Sequence, residues 1–345
     1  MIRIVLTGGP QAGKSSIIEK LAEHLEQKGK KVVIVGETAA ELIKGGIQAQ
    51  GDATYIQKFQ DLVYKTQTRK EKDIEEFAKN TYDGDNLIIL YDRGIIDNKA
   101  YLPSQDDFDF LLDKYKAKEL KLVSKYDLVL NLLSASNMED FSYEQNDIRK
   151  EDKDWAQEID EKTTKAWLLH DNLRIISPKV NFDDKIDEVI KTVESYIKGE
   201  DKRFCKSIDI DLSASDLSVY DDNNSKRFKE SEYFMYGMGG LILGLCEKKY
   251  KDAKTAVLKV YDAYTRELKS IEPLDYNVYM TYIDRYIPFD YSSYEIIRTV
   301  NDQRQLYEII INEDGAKLNI YDKDFKMPNN IKIKANIRKL SFNKK

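Results

Sequence analysis

The densest chemistry in the chain sits in nine consecutive residues, Gly8-Gly9-Pro10-Gln11-Ala12-Gly13-Lys14-Ser15-Ser16. Gly8, four intervening residues, then Gly13-Lys14-Ser15 is the spacing of a loop that wraps phosphates. Each residue type has a reason. The glycines let backbone N–H groups curl around an anion with no Cβ in the way. Lys14 offers a point charge to the β- and γ-phosphates, and the Ser15 hydroxyl is placed for Mg²⁺. Two further segments carry acids and a base: Gly36-Glu37-Thr38 and Tyr91-Asp92-Arg93-Gly94. A carboxylate such as Glu37 can take a proton from an attacking hydroxyl. Asp92 can hold Mg²⁺ through water, and Arg93 can grip phosphate with two parallel hydrogen bonds. Glu37 as a helix cap, and Asp92–Arg93 as a local ion pair, are the competing roles.

These groups converge only if the elements between them place them. Ile2–Thr7, Lys31–Val35, Leu87–Tyr91, Leu128–Leu132 and Leu173–Ile176 are short runs, apolar nearly throughout. Helical periods separate them, at Lys14–Gln27, Thr54–Lys79 and Asp184–Ile197 among others. Strands apolar on both faces belong to a parallel sheet covered by helices. The expectation for residues 1–198 is a three-layer, doubly wound α/β unit with five parallel strands, in which ligands sit at the carboxyl ends of the strands. The phosphate loop follows strand one and opens a helix whose positive dipole end faces the anion. Glu37 ends strand two and Asp92-Arg93 ends strand three, so all reach one edge.

The segments GETAAELI (36–43), FQDLVYKTQTRKEKD (59–73) and LYDRGIIDNKAYL (90–102), together with the loop, resemble one P-loop NTPase family, here called AAA_28-like. It includes the nicotinamide-riboside kinase module of NadR and the N-terminal domain of the TRPL translocation defect protein, and is related to nucleoside and nucleoside-monophosphate kinases. The likeness covers about residues 1–198. It implies a catalytic carboxylate at Glu37, a nucleobase-reading position at Phe59-Gln60 and an acid–arginine pair at Asp92-Arg93. Gly94 departs from the small hydroxyl residue often found there. The polar stretch 134–155 has the length of a kinase lid, in which Arg149, with Lys150 and Lys153, would neutralise charge developing in transfer.

Residues 199–345 read differently. The polar join Gly199-Glu200-Asp201-Lys202-Arg203 leads into a region holding 14 of the 23 tyrosines. Cys246–Ser270 reads as one helix. Tyr276–Tyr282, Tyr294–Val300, Leu306–Asn312, Lys317–Tyr321 and Ile331–Ile337 read as strands, with Glu313-Asp314-Gly315 as a hairpin turn. A smaller α+β domain is expected, carrying no recognised motif. The triphosphate tunnel of TRPL proteins is marked by Glu-x-Glu-x-Lys; here Asp209-Ile210-Asp211 stands instead, and no tunnel is expected. Tyr236–Gly240 is a weak dinucleotide signal, with a tight turn or close helix packing the favoured reading, and the basic alternation Lys332, Lys334, Asn336, Arg338 could serve an anionic ligand but reads first as a solvated edge strand.

Composition narrows the partners. With 345 residues and a net charge of -6, the chain has no global field for nucleic acid or anionic membrane. No apolar run is long enough to span a bilayer, and the first residues begin a strand, leaving no room for a leader. Two cysteines, Cys205 and Cys246, without a CxxC, point to half-buried thiols in a cytoplasmic protein. The function expected is Mg²⁺-dependent transfer of the γ-phosphoryl group of ATP to a nucleoside, nucleotide or similar small hydroxyl acceptor. Glu37 or Asp92 is the base, Gln60 and Arg93 help bind acceptor, and Lys14, Arg93 and Arg149 stabilise the moving phosphoryl. The alternative is an ATP- or GTP-operated switch with slow hydrolysis, whose second domain binds a protein, lipid head group or polyphosphate. The sequence leaves the oligomeric state open.

Overall fold

The computed structural model describes residues 1–134, 153–179, 181–199, 206–221 and 224–334. Arg149 and Lys150, with the rest of the expected lid over 135–152, lie outside the described residues, as do Cys205 and everything beyond 334.

The first unit holds strands β1 (Ile2–Thr7), β2 (Lys31–Val35), β3 (Leu87–Asp92), β4 (Leu128–Leu132) and β5 (Leu173–Ile176). All pair in parallel, in the order β2-β3-β1-β4-β5. The five runs picked out by apolar continuity are these five strands. Neighbouring residues of β1 point to opposite cores: Ile4 and Leu6 join Ile17, Leu21 and Val189 on one face, Val5 joins Tyr64, Phe108 and Trp167 on the other. Both faces are covered, as a sheet of this composition demands.

The covering helices are α1 (Lys14–Gln27), α2 (Thr38–Lys44), α3 (Ala53–Thr81), α4 (Asn98–Tyr101), α5 (Gln105–Lys114), α6 (Glu119–Val123), α7 (Lys153–Ala166) and α8 (Phe182–Ile197). The Asp52 side chain caps α3 by accepting from the Tyr55 N–H at 2.8 Å. Helix α1 starts behind Gly13, whose φ of 81° suits glycine. No described helix is long and apolar enough to cross a membrane.

A second, antiparallel sheet follows: β6 (Lys206–Ile210), β7 (Ser225–Tyr236), β8 (Leu241–Tyr250), β9 (Ala253–Asp262), β10 (Leu268–Leu274), β11 (Asp290–Val300), β12 (Leu306–Asn312) and β13 (Gly315–Ile320). Their order is β10-β9-β8-β7-β11-β12-β13-β6, with one helix, α9 (Tyr276–Arg285), between β10 and β11. Two expectations are corrected here. Cys246–Ser270 is the end of β8, all of β9 and the start of β10, folded back at Lys251-Asp252, where Lys251 has φ 52°. Tyr276–Tyr282 is helical, because the Asp275 side chain accepts from the N–H groups of Asn277 and Val278 and caps α9. The expected strands at 294–300, 306–312 and 317–321 are present, and Glu313-Asp314 links β12 to β13. Tyr236–Gly240 is the β7–β8 turn, with Gly239 and Gly240 at positive φ. Asp209 and Ile210 lie on the edge strand β6.

The two sheets share a core. Phe228, Tyr250, Ala253, Ile296 and Leu306 of the second sheet pack in one cluster with Tyr126, Trp167, Leu168 and Leu169, which lie in the connections of the first unit. Charges inside the second sheet are paired: Lys259 donates to Glu230 at 2.8 Å, and Arg298 Nε to Glu308 at 2.6 Å. Cys246 is fully buried rather than half-buried, beside the Glu230 carboxylate.

Candidate functional site

Residues 8–13 form the turn between β1 and α1 and residues 14–16 open α1, at the point where the chain leaves the middle of the sheet in both directions. Gly8 has φ 135°, and a Cβ there would sit 2.1 Å from the Leu132 carbonyl oxygen, so only glycine fits. Gln11 and Gly13 are also at positive φ, which curls the loop. Lys14 is buried and folds over it, donating to Gly8 O at 3.2 Å and Gly9 O at 2.8 Å. Behind the loop, Lys185 of α8 donates to Ala12 O at 2.9 Å and Leu133 O at 2.8 Å. Burial pulls the Lys185 ammonium down to about 8.

Glu37, Asp92 and Arg93 do converge on this loop. Arg93 takes φ 73° directly after β3, which turns its side chain back under the loop. Its Nη1 donates to Gly8 O at 3.0 Å and its Nε to Glu37 Oε1 at 2.8 Å. The guanidinium is fully buried. Burial works against its charge, but Tyr101, Glu37, Asp97 and Asp92 together hold it more firmly charged than usual. The ion pair of Arg93 is thus with Glu37 across the strand ends rather than a local pair with Asp92. Asp92 instead accepts from Ser15 Oγ through Oδ2 at 3.2 Å. Burial raises the Asp92 carboxyl above its ordinary range, opposed by Lys14 and reinforced by Glu37.

Among the described residues, Asp92 Oδ1 and Arg93 Nη2 at this junction are buried without a hydrogen-bond partner. A buried polar atom left this way is costly, and a ligand that supplies the partner recovers the cost. An acceptor oxygen beside a serine hydroxyl fits Mg²⁺, which takes hard oxygen ligands and keeps waters and phosphates in its shell. A spare guanidinium N–H fits a phosphoryl or hydroxyl oxygen. Among the described residues no group of three or more His, Cys, Asp or Glu could form an all-protein metal cage.

Next to Glu37 and Arg93 opens a cavity of about 780 Å³, within the range for small-molecule sites. Phe59 and Gln60 lie on its α3 wall, both buried, so Gln60 faces the cavity and not solvent. Tyr101 and Trp155 add aromatic rings, their centroids 6.3 Å apart, and the Arg93 guanidinium lies 5.3 Å from the Tyr101 ring centre. Asn98 presents an Oδ1 atom that is buried and has no partner among the described residues. Asn98, Tyr101 and Trp155 were not singled out by sequence reasoning. Asn98 and Tyr101 belong to the quoted segment 90–102, so their proximity to Asp92 was the available signal.

Asp97 was also missed. It is fully buried and saturated, accepting from Thr7 Oγ1 at 2.6 Å, Trp167 Nε1 at 2.7 Å and the Gly94 N–H at 2.9 Å. It fixes the turn that carries Arg93. Gly94 is explained by the same packing. A Cβ there would meet two Trp167 ring atoms at 2.6 Å, which leaves no room for a hydroxyl residue.

Residues 3–185 match the family model described as an AAA domain, AAA_28. Among solved structures, the NadR protein in complex with NR is similar, at 16% identity and a TM-score of 0.40. The match covers 57% of this chain and 52% of that one, so the chain spans about half the length of that structure. No curated protein matches.

Proposed function

This chain belongs to the AAA_28 family of AAA domains, and from that premise we propose that it is a phosphotransferase acting from ATP. The acceptor is a nucleoside, nucleotide or similar small hydroxyl compound. The observation that carries this reading is the cavity beside Arg93 and Glu37, which a simple NTP-binding switch does not need. Its aromatic walls suit a planar group, and Gln60 and Asn98 suit the polar edge of such a group.

In this reading the loop Gly8–Ser16 holds the triphosphate, with Lys14 at the β- and γ-phosphates. Mg²⁺, when bound, neutralises charge on the phosphate oxygens; Ser15 and Asp92 would hold it. Glu37 lines the cavity, whereas Asp92 is engaged with Ser15, so Glu37 is assigned the acceptor's proton and Asp92 the metal side. Arg93 anchors Glu37 through Nε and offers Nη2 to the transferring phosphoryl or its acceptor. The pair preorganises charge where it develops.

The switch reading draws on one observation, a contact from the second sheet to the phosphate loop described below. Glu37→Gln separates the two. It keeps an oxygen for Arg93 Nε but removes the base. The expected result is ATP affinity within about twofold of native and turnover lowered by roughly 10²-fold or more. Unchanged turnover removes Glu37 from the mechanism.

A further inference from the structure

Asp160, on α7, is fully buried and reaches the phosphate loop. Its Oδ1 accepts from the Gly9 N–H at 2.7 Å, and its Oδ2 from the Ser134 N–H at 3.2 Å. A Cβ on Gly9 would come within 2.6 Å of the Asp160 Cβ, so the glycine at position 9 is required by this carboxylate. From the other side comes Arg304, in the turn between β11 and β12. Its Nη1 is hydrogen-bonded to Asp160 Oδ2 and its Nη2 donates to Gln157 O at 3.2 Å.

That turn is built to present an arginine. Asn301 Oδ1 accepts from the N–H groups of Gln303 and Gln305, at 3.0 and 2.9 Å, and Arg304 itself holds φ 57°. Helix α7 therefore joins three things: Trp155 at the cavity, Asp160 at the loop and Gln157 with Asp160 at the second sheet.

We propose that Arg304 and Asp160 are positioning residues for the phosphate loop, and that nucleotide affinity depends on the second sheet through them. The inference rests on reading residues 8–16 as the triphosphate loop. A carboxylate against that loop repels phosphate unless its charge is met. Lys185 meets part of it from behind the loop and Arg304 meets it from the second sheet. Gly9 O also holds the Lys14 ammonium, which addresses the β- and γ-phosphates, so the effect falls most on the γ-phosphate. By linkage, bound ATP also stabilises the docking of the β11–β12 turn.

The test uses the full chain, with titrations of fluorescent ATP and ADP analogues at low and high salt. Arg304→Gln should weaken ATP by about 5- to 20-fold and ADP distinctly less, with the gap shrinking in salt. Arg304→Lys, which keeps the charge, should recover most of the loss. Adding Asp160→Asn to Arg304→Gln should also recover it, because the carboxylate that lost its arginine is gone while an oxygen for Gly9 remains. A merely structural contact would instead make the double variant worse. Equal loss for ATP and ADP, no loss, or no recovery in the double variant overturns the proposal. Should Arg304→Gln fail to fold, Asp160→Asn alone is read: its ATP-to-ADP affinity ratio should rise, and an unchanged ratio overturns the proposal. Lys14→Ala separates the premises. If it leaves ATP binding intact, the loop reading fails; if it abolishes binding while the Arg304 series is flat, only this inference fails.

Discussion

Gly94 illustrates how far a single residue can be read. Beside Asp92-Arg93 it looks like the loss of a hydroxyl that would touch substrate. In the structure it marks a packing limit, because the buried Trp167 ring occupies the space a Cβ would need. Gly94→Ala should therefore destabilise the fold by about 1–3 kcal/mol through overpacking. The check is a lowered urea midpoint at unchanged m-value; an unchanged midpoint would show that the ring yields. What was legible in sequence is the placement of Gly8–Ser16, Glu37, Asp92 and Arg93 at one edge of the first sheet. Asp97, Asp160 and Arg304 were not. Asp160 meets Gly9 across 151 residues and Arg304 meets Asp160 across 144; Asp97 sits beside Arg93, but its Thr7 and Trp167 partners lie 90 and 70 residues away, so nothing near these residues marks those partners.

At the scale of elements, the same contrast has a physical cause. The strands of the first sheet are buried on both faces, so each is a continuous apolar run that stands out from its helical surroundings. The second sheet deceives. Cys246, Tyr250, Ala253 and Val257 are all buried, and their spacing of four, three and four imitates one face of a helix. They belong to two antiparallel strands, and the fold-back at Lys251-Asp252 lies between them. Helix α9 deceives in the other direction, since its tyrosines and β-branched residues favour strands until the Asp275 cap is counted. Charged residues such as Lys259, Glu230 and Arg298 are buried by the sheet, Lys259 paired with Glu230 and Arg298 with Glu308. Their partners lie on other strands, which sequence spacing does not reveal.

For the whole molecule, the joint between the sheets sets the behaviour. Arg298 Nη1 donates to the carbonyls of Leu168 and His170, at 3.1 and 2.7 Å, and Lys248 pairs with Asp171. His170 sits among them fully enclosed. It donates from Nε2 to Tyr126 O at 2.9 Å and accepts the Asn172 N–H on Nδ1 at 3.0 Å. Burial, ahead of any other cause, lowers its pKa from 6.5 to about 4. A second proton on Nδ1 would face an N–H. Between pH 6.5 and 4 the unfolded chain thus takes up a proton that the folded one refuses, and stability falls as pH falls. The loss approaches roughly 3 kcal/mol near pH 4. Urea midpoints of native protein and His170→Gln should accordingly converge or cross on acidification from pH 7, whereas parallel curves would place the histidine outside this balance.

The joint also ties the second sheet to the phosphate loop through α7, so the cavity, the loop and the β11–β12 turn form one connected assembly. In the proposed function, a small molecule in the cavity receives the γ-phosphoryl group. The direct measurement is incubation of the full chain with γ-labelled ATP, Mg²⁺ and a panel of nucleosides and nucleotides, separating labelled products. Label is expected in at least one phosphorylated acceptor, at a rate well above phosphate release. Label appearing only as inorganic phosphate, at one slow rate across the panel, would contradict it.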